Sequence, residues 1–200
     1  AAERRAERRE QGFDLVAVAG YTNAGKSTLL HRLADDLSLS ELEATHADEA
    51  VAANTEDQLF ETLETTTRRA TVDDRRLLVT DTVGLIDDLP HDLVESFSAT
   101  LGEIADSDAV LAVVDAASDA DQFRRRTETT LDVLAGEADR VVPVLNKADR
   151  VTDETLAARA ETVRRLAPDA AHPVAISALH GDGVDDLRAA LSTALPTETA

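Results

Sequence analysis

GYTNAGKST, Gly20 to Thr28, decides how the rest of the chain is read. The apolar run Phe13 to Ala19 precedes it, and Leu29, Leu30 and Leu33 follow at helical spacing, so the stretch reads strand, glycine-rich loop, helix. Gly20, four residues, then Gly25, Lys26 and Ser27 is the spacing of a phosphate-binding loop. In such a loop the backbone of Gly20, Tyr21, Thr22, Asn23, Ala24 and Gly25 and the N-terminus of the helix opened by Thr28 surround a phosphate. Lys26 supplies a point charge there and Ser27 a magnesium ligand. The bland alternative, a plain glycine turn, would leave both flanking elements a coincidence.

Composition narrows the class. Two hundred residues with 43% hydrophobic content suit one domain with a continuous core. The absence of cysteine excludes a disulfide framework and a thiolate metal site, and makes a reducing cytoplasm the simplest compartment. No apolar run approaches the roughly 20 residues that span a bilayer, so a soluble protein with no membrane partner is expected. AAERRAERRE, residues 1 to 10, is charged, favours helix and begins without Met. It reads as the end of a helical linker (1–12) before a domain over 13–195 and a tail over 196–200. Forty acidic residues oppose 20 basic ones, a net charge of −20, and only Lys26 and Lys147 are lysines. Such a surface resembles proteins of salt-accumulating halophiles, where screening makes self-repulsion tolerable.

Strand and helix alternate along the chain. A strand over 13–19 and a helix over 26–36 are followed by an acidic insertion, 38–58, too long for an ordinary connection. RRATVDDRRLLVTD, residues 68–81, predicts an antiparallel hairpin turning at Asp73 and Asp74. Helical spacing covers 91–105, 121–137, 153–166 and 184–195, and strands are expected at AVLAVVDA (109–116), RVVPVLN (140–146) and HPVAIS (172–177). Apolar runs without polar alternation belong to strands covered on both faces, which implies a mostly parallel sheet with helices on both sides.

Four further stretches carry chemistry. In DTVG, Asp81, Thr82, Val83 and Gly84, a carboxylate at a strand end can reach magnesium through water, and the glycine N–H can approach a terminal phosphate. In NKAD, Asn146, Lys147, Ala148 and Asp149, the final carboxylate can accept two hydrogen bonds from guanine N1–H and the exocyclic amine, which adenine does not offer. At roughly 1.5–3 kcal/mol per bond to a charged group, losing both disfavours ATP by about two to four decades. Asn146 would brace two loops while the Lys147 stem covers the base. In SAL, Ser177, Ala178 and Leu179, a backbone N–H can donate to guanine O6. In LFETLETTTRR, residues 59–69, one of several threonines is expected to complete the magnesium shell beside a γ-phosphate.

With GYTNAGKSTLL, LFETLETTTRR, DTVGLIDDLPHDLVESFSATL, VVDA and NKAD in place, the chain resembles the GTPase domain of the HflX family over most of residues 13–180. The resemblance implies a Ras-like α/β domain with a six-stranded, mostly parallel sheet that binds GTP and GDP with Mg2+ and hydrolyses GTP. It also implies association with the large ribosomal subunit. It assigns the switch threonine to Thr62, within Phe60, Glu61, Thr62, Leu63 and Glu64, and not to Thr65, Thr66 or Thr67. Lys26, Thr62 and Gly84 then serve catalysis, and Ser27, Thr62 and Asp81 the metal. A monomer is expected. The rival class is a GTP-dependent binding module whose hydrolysis is incidental.

The residue after DTVG is Leu85, where efficient GTPases carry a water-orienting glutamine, so slow intrinsic turnover is expected. Asn23 supports two readings equally, a neighbour of a potassium ion beside the phosphates and a residue that shapes the loop. The arginines at 68–69, 75–76 and 124–126 read as a solvated minority among the acids, with contact to rRNA phosphates as the alternative. His91, at the start of the 91–105 helix, reads as structural before it reads as catalytic.

Overall fold

Strand β1 (Asp14–Gly20) lies at the middle of a mixed six-stranded sheet ordered β2-β3-β1-β4-β5-β6, with β2 (Thr66–Val72), β3 (Arg75–Asp81), β4 (Ala109–Asp115), β5 (Val141–Asn146) and β6 (Val174–Ala175). Every pairing is parallel except β2 with β3. The computed structural model describes residues 12–34, 66–82, 101–102 and 104–196. The expected linker (all but Gly12), the acidic insertion, residues 91–100 and 103 of the expected 91–105 helix and the last four residues of the tail lie outside the described residues.

The unbroken apolar runs are explained by burial on both faces. Along β1, Val16 and Val18 point to one side, where they pack with Leu29, Leu30 and Leu33 of helix α1 (Lys26–Leu33) and with Leu187 and Leu191 of helix α4 (Val184–Ala194). Ala17 and Ala19 point to the other, toward Phe123, Leu131 and Leu134 of α2 (Ala120–Ala135) and Val163 of α3 (Asp153–Leu166). Neighbouring β4 divides the same way, Leu111 and Val113 to the first side, Val110 and Ala112 to the second. A period of two with both phases apolar is what a central parallel strand requires.

Asp73 and Asp74 both adopt left-handed conformations, φ 47° and 65°, so the β2–β3 hairpin closes with the twist-matched two-residue turn. The turn expected at these two residues is the one the structure forms. Helix α1 ends at Leu33 rather than Asp36, because Ala34 is extended (φ −66°, ψ 141°) and returns its N–H to the Leu30 carbonyl. The last strand pairs only over Val174–Ala175, where HPVAIS suggested six residues. Pro143 is tolerated inside β5 because odd-numbered positions face β6, as Leu145 shows by accepting from Ile176, and β6 pairs only from Val144 onward. No helix among the described residues is long and apolar enough to cross a membrane.

Candidate nucleotide site

The loop that follows β1 depends on glycine at two points. A Cβ on Gly20 would come within 2.2 Å of the Val113 carbonyl oxygen on β4, and one on Gly25 within 2.2 Å of the Asn146 amide nitrogen. Gly25 at φ 93° caps α1, whose first-turn N–H groups have no intrahelical acceptor and point into the loop. Asn23 is left-handed at φ 61°, and Ala24 N–H bonds the Tyr21 carbonyl, so the loop wraps one concave space. The Tyr21 ring is buried below it under the Arg126 guanidinium, 5.1 Å from the ring centre, while Thr22 and Asn23 are exposed at its lip.

Lys26 is buried at 8% exposure and donates to the Tyr21 carbonyl at 3.1 Å. Burial pushes its ammonium down, partly opposed by Asp81. Asp81 shifts the other way: burial pushes its carboxyl up, against the Ser27 hydroxyl and the charges of Lys26 and His31. A cation short of negative charge and a carboxylate short of positive charge, side by side, suit an anion and a metal ion together. Ser27 Oγ donates to Asp81 Oδ2 at 2.6 Å, and Asp81 Oδ1 is buried with no hydrogen-bond partner among the described residues. Adjacent hydroxyl and carboxylate oxygens fit Mg2+, which takes one or two protein oxygens and fills its shell with phosphate and water. No group of three His, Cys, Asp or Glu side chains that could hold a metal ion occurs among the described residues. Thr82 lies behind the loop, its N–H and hydroxyl both on the Val18 carbonyl at 3.1 and 2.8 Å, tying β3 to β1. Thr28 is half-buried on α1.

The base side is built on Asn146. Its amide donates to the Ala24 carbonyl at 2.8 Å and its Oδ1 accepts from Ala178 N–H at 3.0 Å, so one buried side chain joins the phosphate loop to the SAL turn. Lys147, left-handed at φ 64°, reaches back to the Asn23 carbonyl and to Asp115 Oδ2, each at 2.7 Å. Ala148 N–H bonds the Ile176 carbonyl, which places Asp149 at the mouth of the site. The Ser177 hydroxyl, followed by smaller contributions that include His180 and Arg150 at 3.8 and 3.9 Å, holds the Asp149 carboxyl below the ordinary range. Leu179, 40% exposed, is the one large apolar side chain left uncovered among the described residues. The loop, Ser27, Asp81, NKAD and SAL therefore converge on one face at the carboxyl ends of β1, β3 and β5. Phe60, Glu61, Thr62, Leu63, Glu64, Val83, Gly84, Leu85 and His91 lie outside the described residues. Reading by motif included VVDA but gave its Asp115 no role, and it passed over Arg32, which carries no local signal.

A family model described as 50S ribosome-binding GTPase matches residues 15–147. The GTPase HflX of Thermococcus kodakarensis is 40% identical over 167 residues, 82% of this chain and 34% of its own. That of Akkermansia muciniphila is 43% identical over 192 residues, 93% of this chain and 39% of its own. The chain belongs to the HflX family of GTPases. It is the family's GTPase domain, and it spans between a third and two-fifths of the length of these relatives. Among solved structures, Era in complex with MgGDPNP and 16S ribosomal RNA aligns with a TM-score of 0.70 at 20% identity, covering 94% of this chain and 59% of that one. A Sulfolobus solfataricus GTP-binding protein in complex with GDP aligns at 0.66 and 21% identity, covering 96% and 55%. Both likenesses show the Ras-like fold of this HflX GTPase domain.

Proposed function

We propose that this domain binds GTP with Mg2+, hydrolyses it slowly, and acts within a longer monomeric protein that associates with the large ribosomal subunit in a nucleotide-dependent way, in a salt-rich cytoplasm. The observation that carries the reading is the double clasp of Asn146, which makes the phosphate loop and the guanine-reading turn one unit. On this reading Lys26 and the loop amides hold the β- and γ-phosphates, and Asp149 accepts from the two guanine donors. The Lys147 stem covers one face of the base and Leu179 lies at its edge. Ser27 and Asp81 would hold Mg2+, with Thr62 joining them when a γ-phosphate is present. The metal, when bound, neutralises charge on the transferring phosphoryl group. Gly84 N–H is assigned to the γ-phosphate. Leu85 can neither donate to nor accept from a nucleophilic water, so most of the acceleration has to come from outside the domain.

Single-turnover GTP hydrolysis with and without purified large ribosomal subunits, alongside co-sedimentation in GTP-analogue, GDP and nucleotide-free states, tests the proposal. Faster turnover with subunits and pelleting favoured by the GTP analogue are expected. Pelleting that ignores the nucleotide would reject the nucleotide-dependent association, and turnover unmoved by subunits would favour a binding module over a ribosome-activated enzyme.

A further inference from the structure

Arg32 sits in the last turn of α1, the helix that Lys26 opens, and reaches across 146 residues of sequence to the SAL turn. Its Nε donates to the Ala178 carbonyl at 3.0 Å and its Nη2 to the Leu179 carbonyl. Gly181, left-handed at φ 91°, lets the chain fold over the guanidinium, with a Cβ there falling 3.7 Å from Nη1. Two successive carbonyls held by one planar fork is a geometry that arginine offers and a lysine point charge does not.

A trans peptide plane points its N–H opposite to its C=O. Turning the Ala178 carbonyl to Arg32 therefore sends the Leu179 N–H away from α1, and turning the Leu179 carbonyl sends the His180 N–H away, where it meets Ser177 Oγ at 3.2 Å. The Ala178 N–H is taken by Asn146 Oδ1. Of the three consecutive amides, only that of Leu179 has no acceptor among the described residues. The same turn carries Ser177, whose hydroxyl bonds Asp149, and His180, whose ring lies 3.8 Å from that carboxylate. The rim thus presents a donor beside a carboxylate. Guanine presents the complement, the O6 acceptor beside the N1–H and amine donors, whereas adenine would oppose its amine to the N–H.

Resting on the guanine reading above, we propose that Arg32 is a positioning residue for base recognition: by holding the Ala178 and Leu179 carbonyls it aims the Leu179 N–H at guanine O6.

Calorimetric affinities of the full chain for GDP, IDP and 6-thio-GDP separate this role from general support of the fold. A thiocarbonyl accepts poorly, so the parent chain should bind 6-thio-GDP about 3- to 10-fold more weakly than GDP. In Arg32→Gln that ratio should fall to about one, while the IDP/GDP ratio, which reports Asp149, stays at its parent value; Arg32→Lys should be intermediate. A thio ratio unchanged in Arg32→Gln, or both ratios collapsing together, would overturn the proposal. Hydrogen exchange in the unsubstituted chain is a second readout that needs no variant to fold. The Leu179 amide should be more protected with GDP than with 6-thio-GDP, and equal protection would also overturn it. Equal affinity of the parent chain for GDP, IDP and ADP would instead bring down the guanine reading, and the Arg32 role with it, by a separate route.

Discussion

The Ser177 hydroxyl is the largest cause holding the Asp149 carboxyl below its ordinary range, and that contact sets a measurable pH dependence. Asp149 titrates below its ordinary value of 3.8, with the Ser177 hydrogen bond the largest cause. A folded-state pKa below the unfolded one contributes stability that is fully present above the unfolded value and is lost as pH falls through the folded one. Ser177→Ala should therefore move the Asp149 carboxyl titration upward toward 3.8, read by carbon NMR of that carboxyl; a titration identical to the parent would remove Ser177 from the role. Asn23 invites a sharper substitution than alanine. At φ 61° an alanine would add backbone strain of about 1–2 kcal/mol and confuse loop shape with cation binding. Asn23→Gly keeps the conformation and removes only the side chain. Potassium in place of sodium, at constant ionic strength, is expected to raise turnover in the parent, and Asn23→Gly should lose that rise while retaining GDP affinity. Equal parent rates in the two salts would dispose of the ion.

Among the elements, the hairpin at Asp73 and Asp74 has room for improvement. Both positions are left-handed and neither is glycine, so each carries a conformational cost beside a second negative charge. Asp74→Gly should stabilise the domain by about 0.5–1 kcal/mol, raising Tm by roughly 1–4 °C in a thermal melt. A lowered Tm would mean that the Asp74 side chain supports the turn in a way its backbone angle does not reveal. The same element shows what could be read in advance. A tight turn between two β-patterned runs is a local signal, and so were the phosphate loop and the two-sided apolar strands, which is why the fold was legible. Element ends were less so: α1 stops three residues early and β6 shrinks to Val174–Ala175, because the chain leaves the sheet to form the Ser177 turn. NKAD announced itself as a motif, and SAL carried weight only beside it; a bracing role for Asn146 was expected, but the atoms it joins were not encoded. Asn146 reaches Ala24 over 122 positions and Arg32 reaches Ala178 over 146, contacts that no periodicity or spacing encodes.

For the whole molecule, charge is the dominant unknown that an experiment can settle. With 40 acidic against 20 basic residues, the folded chain concentrates repulsion that the unfolded chain dilutes. Raising KCl from about 0.1 to 1 M shortens the Debye length from about 10 to 3 Å and should raise Tm on the order of 5–10 °C. A Tm that stays flat or falls would contradict the view that the acidic surface is tuned to high salt. Among the described residues, the ion pairs are mostly at the surface. The Arg75–Asp14 pair at 2.7 Å joins the starts of β3 and β1 and is mostly buried, whereas a pair such as Arg164–Glu161 is exposed and contributes little.

The scarcity of lysine gives the domain a built-in reporter. Lys26 lies buried under the phosphate loop, and Lys147 is held between Asp115 and the Asn23 carbonyl. Both lysines of this sequence therefore lie at the proposed nucleotide site, so an amine-selective acylating reagent modifies side-chain amines only there. Mass spectrometry of the acylated peptides would measure occupancy at two points of the nucleotide at once, without label, substitution or fluorophore. The ratio of Lys26 to Lys147 labelling would separate a ligand that fills only the phosphate end from one that also covers the base.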